Sequence, residues 1–280
     1  MPTAFVNGVN LYYEETGSGT PLLFLHEFAG DYASWEPQMR HFGRRYRAVT
    51  MSYRGYPPSD IPDDPDAYSQ DILLDDVIGL LDALEIEKAH ICGLSIGANS
   101  AVLLGMRKPE RCLSLVVAAG GHGSVKGADR EEFVHDFSSR ADWLLREGME
   151  PVARKQADKP NRVPMKVKDP RGWAAFRDRL IAHSATGSAY TARGVPLKRP
   201  SFYDVEDSLR DMTVPTLVIV GDQDGNCLEG SMFLKQVLPN AGLHMFPMSG
   251  HLVNLEEPEL FNRSVQDFLS AVDLGRWLKP

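Results

Sequence analysis

Apolar and polar positions alternate in three regimes along the chain. Up to about Gly121, short β-branched and aliphatic runs take turns with amphipathic stretches. Phe5–Tyr13 places two such runs around Asn7-Gly8, a dipeptide that favours a tight hairpin, and predicts two antiparallel strands. Leu22–Leu25, Arg47–Met51, Ala89–Cys92 and Leu115–Ala118 are brief runs of the kind a parallel sheet buries on both faces. Leu73, Val77, Leu80, Leu81 and Leu84 recur at helical spacing and predict a helix with one apolar face. From about His122 to Met212 no convincing strand is visible. Phe133–Arg146 and Trp173–His183 read as helices, and Pro160, Pro164, Pro170, Pro196 and Pro200 divide the remainder into short pieces. The strand–helix alternation then resumes with Thr216–Val220, a strand around Gly242–Phe246, and a helix carrying Leu260, Phe261, Val265, Phe268 and Leu269.

This pattern predicts an α/β fold: a mostly parallel central sheet flanked by helices, with an inserted helical lid. The expected divisions are 1–121 for the first part of the core, 122–212 for the lid and 213–280 for the second part of the core. A length of 280 residues suits one α/β domain with an insertion. With 43% hydrophobic and 24% charged residues, disorder and a coiled coil are excluded. No apolar run approaches the roughly 18 residues of a membrane span. The first residues lack the basic flank and apolar run of a secretory signal, so the expectation is a cytoplasmic protein with no membrane partner. A net charge of −8 argues against a nucleic-acid partner. Three cysteines without a Cys-x-x-Cys pair, and histidines without ligand spacing, give no reason to expect a disulfide, a metal or a cofactor. Homo-oligomerisation stays open.

Candidate chemistry centres on Gly93-Leu94-Ser95-Ile96-Gly97. An apolar strand ends at Cys92, and a helical run with Ala98, Ala101, Val102 and Leu104 opens directly after it. So sharp a strand-to-helix turn lifts Ser95 above the sheet edge, at a helix N-terminus that favours developing negative charge. A serine hydroxyl needs a base, and the base needs an orienting acid. His251, on the loop Ser249-Gly250-His251-Leu252 after a strand, is the candidate base. Asp222 and Asp224 compete for the acid.

The chain resembles the α/β-hydrolase fold family, in its small, lidded serine-hydrolase form, over nearly its whole length. The resemblance rests on four segments in order: Leu25-His26-Glu27-Phe28-Ala29-Gly30, Tyr53-Arg54-Gly55-Tyr56-Pro57-Pro58-Ser59-Asp60, the Ser95 turn, and Gly221-Asp222-Gln223-Asp224 followed by Ser249-Gly250-His251. The turn at Glu27, the following Trp35 and the lid length look most like the enol-lactonase and ester-hydrolase branch. The resemblance favours Asp224 as acid, because the family places it three residues after the glycine, and leaves Asp222 to cap its own turn. It implies oxyanion donors at the Ile96 and Phe28 amides. Glu27 departs from the family's usual glycine. His26, Glu27, Trp35, His122 and Trp143 are candidates for the pocket wall, with core packing the alternative for the tryptophans. The implied activity is cleavage of a small-molecule carboxylic ester or lactone through an acyl-enzyme, without metal or cofactor. Carbon–carbon bond hydrolysis and cofactor-free haloperoxidase-like chemistry use the same groups, and a hydrolase-fold small-molecule receptor is the alternative outside catalysis.

Charge is unevenly spread. Residues 151–200 hold twelve Lys or Arg and three Asp, a net +9 that leaves −17 for the rest of the chain. Two expectations compete: the basic lid is held to the acidic body by attraction, or some cations face the pocket and take an anionic substrate.

Overall fold

The computed structural model describes residues 2–124 and 128–277. The outer ends of both expected core parts, and residues 125–127 of the expected lid, lie outside these. Eight strands form one sheet: β1 (Thr3–Val6), β2 (Val9–Thr16), β3 (Pro21–Leu25), β4 (Arg47–Met51), β5 (Ala89–Leu94), β6 (Cys112–Ala118), β7 (Thr216–Gly221) and β8 (Ala241–Phe246). Their spatial order is β1-β2-β4-β3-β5-β6-β7-β8. The β1–β2 hairpin pairs antiparallel, β2 meets β4 antiparallel, and every later pairing is parallel.

Helices cover both faces, so the inner strands are buried along nearly their whole length rather than at alternate positions. All six residues of β5 and of β7 are buried. Between strands run α1 (Glu36–Phe42), α2 (Gln70–Ala83) and α3 (Ile96–Arg107). The spacing that predicts α2 is the spacing it buries: Leu73, Val77, Leu80 and Leu81 face the core, and Ser69 caps the helix by accepting from the Ile72 N–H.

Between β6 and β7 the described residues form only helices: α4 (Ala128–Glu147), α5 (Met149–Ala157), α6 (Val163–Lys168), α7 (Pro170–Ile181), α8 (Ala185–Gly194) and α9 (Glu206–Asp211), with short 3₁₀ turns. Pro160, Pro164 and Pro170 do not interrupt helices. Each sits at the first or second position of a helical turn, where a missing N–H costs nothing. The core closes with α10 (Gly225–Val237), α11 (Val253–Glu256) and α12 (Pro258–Asp273). Among the described residues, no helix is long and apolar enough to cross a membrane.

Candidate active site

The C-terminal ends of β3, β5, β7 and β8 point to one edge of the sheet, and the candidate residues lie just beyond them. β5 runs to Leu94, and Ser95 stands between it and α3 with φ 56° and ψ −110°, a left-handed conformation that is strained for a residue with a side chain. The turn is too tight for larger neighbours: a Cβ on Gly93 would lie 2.1 Å from the Gly97 carbonyl oxygen, and one on Gly97 would lie 2.1 Å from the Leu25 carbonyl oxygen. The Ser95 N–H is held by the Ala118 carbonyl at 2.9 Å. Ile96 is the first residue of α3, so its N–H has no partner within the helix.

Asp224 follows β7 and is fully buried. It occupies the N-cap of α10, yet its side chain makes no capping bond to that helix. Its Oδ2 instead accepts from His251 Nδ1 at 2.7 Å, and its Oδ1 from Asn161 Nδ2 at 2.9 Å. Burial alone would raise this carboxyl. The imidazole beside it and the bonds from His251, Asn161 and the Cys227 thiol outweigh burial and bring it down to about 2. Asp222, two residues earlier, is partly exposed and does not meet His251; its carboxyl is held low by the backbone of Met248, on the loop after β8. The two acids thus differ in reach, and only Asp224 meets His251.

His251 is aimed by its loop. Glu256, buried, accepts the Gly250 N–H at 2.7 Å and the Leu252 N–H at 3.1 Å, and so clamps the turn from both sides. Neither Glu256 nor Asn161 stands out in the sequence, because each gets its role from partners brought together by the fold.

Ser95 and His251 line one small cavity of ≈ 30 Å³ with Phe28, His122, Asn161, Arg140, Lys159 and Arg162. His122, Lys159 and Asn161 also line a wider basin of ≈ 780 Å³ toward α4 and α10. His122 packs edge-on against Phe133 at 4.9 Å, and burial followed by the charges of His251, Arg199 and Arg140 pushes its imidazole down to about 3. Of the cations, Arg140 and Lys159 share Asp136 at 2.7 and 3.2 Å. Among the described residues, Arg162 has no such partner. It is 3% exposed, stacks over Phe176 at 4.9 Å, and leaves Nε and Nη1 without a hydrogen bond. Burial pushes its guanidinium below the usual arginine range, against the pull of Glu27 and Asp224.

The remaining candidates for the wall belong elsewhere. Trp35 is fully buried between Phe24 and Phe261, beneath the sheet. Trp143 lines an adjoining cavity that shares Arg140 and Lys159 with the first, and carries Lys155 over its ring at 5.3 Å. His26 is buried behind the turn it belongs to, with Nδ1 bonded to the Glu27 carbonyl at 2.7 Å and Nε2 accepting the Tyr53 N–H at 3.1 Å. Glu27 folds back under Gly30, where Ser34 Oγ donates to Oε1 at 3.3 Å and Oε2 has no partner. Burial raises its carboxyl. The residues that fill their place in the wall are Arg140, Arg162 and Asn161, on segments of no distinctive motif.

Residues 20–258 match the model of the alpha/beta hydrolase fold family. The chain belongs to that family. It is similar to 3-oxoadipate enol-lactonase 1 of Acinetobacter baylyi, at 26% identity over 90% of this chain and 89% of that protein. It is similar also to the 2-hydroxymuconate semialdehyde hydrolase of Pseudomonas sp. strain CF600, at 28% identity over 95% of this chain and 92% of the other. Among solved structures, the enol-lactonase from Burkholderia xenovorans LB400 superposes with a TM-score of 0.85 at 25% identity, over 96% of this chain and all of that one. An α/β-hydrolase of the enol-lactonase branch is thus what the fold and its relatives describe.

Proposed function

We propose that this α/β-hydrolase cleaves a small carboxylic ester or lactone through an acyl-enzyme, with Ser95 as nucleophile, His251 as base and Asp224 as the acid that orients it. The observation that carries this reading is the 2.7 Å bond from His251 to the buried Asp224, in a histidine that lines the same cavity as the strained Ser95. With Nδ1 held by Asp224, the Nε2 of His251 is left to take the Ser95 proton as Oγ attacks the carbonyl carbon. The oxyanion that forms is met by the Ile96 N–H and the Phe28 N–H. His251 then hands its proton to the departing oxygen. Water, deprotonated by the same imidazole, attacks the acyl carbon and releases Ser95.

Residues 122–212 act as a lid in this reading, and the substrate carries a free anionic group. Arg162 supports the latter: a buried guanidinium with two unsatisfied nitrogens, beside the nucleophile, is completed by a ligand carboxylate. The enol-lactonase relatives support a lactone. A second reading, carbon–carbon bond hydrolysis by the same groups, takes its support from the relative named 2-hydroxymuconate semialdehyde hydrolase.

The deciding experiment is mass spectrometry of the intact protein after reaction with a panel of aryl esters and lactones, half of them bearing a remote carboxylate. An acyl adduct on Ser95, formed fastest by the carboxylate-bearing members, is expected. Adducts elsewhere, or none with any member while the protein stays folded, would overturn the assignment.

A further inference from the structure

A buried carboxylate must be satisfied at both oxygens to hold one orientation. Asp224 is placed where it would ordinarily cap its own helix, α10, yet its side chain does not; its backbone carbonyl serves that helix, accepting from the Cys227 and Leu228 amides at 2.9 and 3.2 Å. The side chain is turned the other way, with Oδ2 on His251 and Oδ1 on Asn161. The Cys227 thiol, on α10, lies 3.8 Å from His251 Nδ1 and 3.1 Å from the Ala119 carbonyl, and adds only a weak sulfur contact to the Asp224 carboxylate. The amide donor on the second oxygen comes from the helical segment between β6 and β7, on the 3₁₀ turn Pro160–Arg162.

Asn161 holds the histidine as well. Its backbone carbonyl accepts the His251 N–H at 2.8 Å. The approach is so close that a Cβ on Gly250 would sit 2.1 Å from that carbonyl oxygen, so the glycine before the histidine is required by Asn161. One residue thus touches both partners of the pair, and both contacts come from the segment that covers the cavity. Its side chain must present Nδ2 to Asp224, because a carboxylate can only accept.

We infer that Asn161 is a positioning residue: the helical segment completes the acid–base pair by holding Asp224 through the Asn161 amide and the His251 loop through its carbonyl. This rests on reading Asp224 and His251 as the acid and base of the reaction. It adds that the core alone does not fix their geometry. When the segment moves away, the Asp224 carboxylate loses a hydrogen bond and the His251 loop loses an anchor, so catalytic competence follows closure. Arg162, the next residue, lines the same cavity, so an anionic group seated there draws Asn161 onto Asp224.

The test uses two variants of the full chain. Asn161→Leu keeps the side-chain volume without the donor, and Asn161→Ala removes both. Turnover of 4-nitrophenyl acetate, which carries no charge for Arg162, isolates the effect on chemistry. The expected result is that both variants lose about 10- to 100-fold in kcat, the scale of a small misplacement of reacting groups, with KM little changed. The far-downfield proton resonance of the His251 Nδ1–H bonded to Asp224 should shift and broaden in both. Parental kcat and an unmoved resonance in Asn161→Leu would overturn the inference, as would an effect confined to Asn161→Ala, which marks packing. A change in KM alone, with the resonance unmoved, would also overturn it and make Asn161 a substrate contact. Should Asn161→Ala fail to fold, Asn161→Leu decides alone. Should Ser95 take no acyl group from any ester, the resonance still reports whether Asn161 holds the pair, so the two failures are distinguishable.

Discussion

The sheet-bound core and the helical segment between β6 and β7 meet at the cavity, and they contribute different things. From the core come Ser95, Asp224 and His251, each on a turn or loop that follows a strand. From the segment come Arg140, Lys159, Arg162 and Asn161, long or amide side chains reaching inward from helices and turns. In the proposed mechanism the core supplies the reacting groups, and the segment supplies recognition and the final alignment. A fold that separates the two can change substrate by altering one region while keeping the chemistry of the other.

The largest effect is expected on the core side. Ser95→Ala should lower kcat by on the order of 10⁴-fold or more while far-ultraviolet circular dichroism stays native. A folded Ser95→Ala variant retaining activity near the parent's would remove the core from the chemistry altogether. Asp224→Asn should approach the same loss, on the order of 10⁴-fold, because an amide at that position leaves the imidazole unoriented. Asp222→Asn should change kcat far less, since that side chain is partly exposed and does not meet His251. Steady-state rates of the two variants side by side test the choice of acid, and comparable losses would reverse it.

On the segment side the effect is smaller and depends on the substrate. Arg162→Leu should lower kcat/KM for a carboxylate-bearing ester by about 10- to 100-fold, the worth of a charge-assisted hydrogen bond, and leave a matched neutral ester nearly unchanged. Because the guanidinium is buried, raising the salt concentration should hardly alter the difference; a strongly salt-sensitive difference would point to the exposed lysines at the basin instead.

The two regions were not equally legible in the sequence. Strands β3 to β8 and helices α2 and α12 announce themselves because burial on both faces, or on one, imposes a periodicity that neighbouring residues carry. The turn at Ser95 is legible for the same reason, as its two glycines and flanking apolar runs are local. In the segment, α4 and α7 show amphipathic spacing, but α5, α6, α8 and α9 are short, and Pro160, Pro164 and Pro170 read as breaks when they are starts. Trp35 is the instructive miss. Its composition suits a pocket wall or a core equally, and only the position of α1 beneath the sheet decides for the core. Asn161 and Glu256 could not be singled out at all, because their partners lie, for Asn161, 63 residues away in Asp224, and for Glu256 in backbone amides that any residue could offer.

The charge asymmetry between the regions invites the view that attraction holds them together, and the ion pairs argue otherwise. Among the described residues, five of the twelve cations of 151–200 are paired within the segment: Arg154 with Glu150, Lys159 with Asp136, Lys166 with Asp158, Arg177 with Asp178 and Arg193 with Asp142. Lys166 and Arg177 also lie over the Trp173 ring. One lysine pair crosses to the core, Lys168 with Glu257 at 2.5 Å, and its side chains are 26% and 35% exposed. At that exposure solvent screens the pair, and a contribution of roughly 0.2–1 kcal/mol is expected. Lys168→Ala should therefore lower the unfolding free energy in urea by no more than about 1 kcal/mol and leave the m-value unchanged. The opposite outcome, a loss of several kcal/mol or a separate early transition for the helical segment, would mean that charge does tether the two regions. With the expected small effect, apolar packing, the buried His183–Asp31 contact and the Asn161 contacts hold the segment in place, and in the proposed mechanism the charge at Arg162 is left for the substrate.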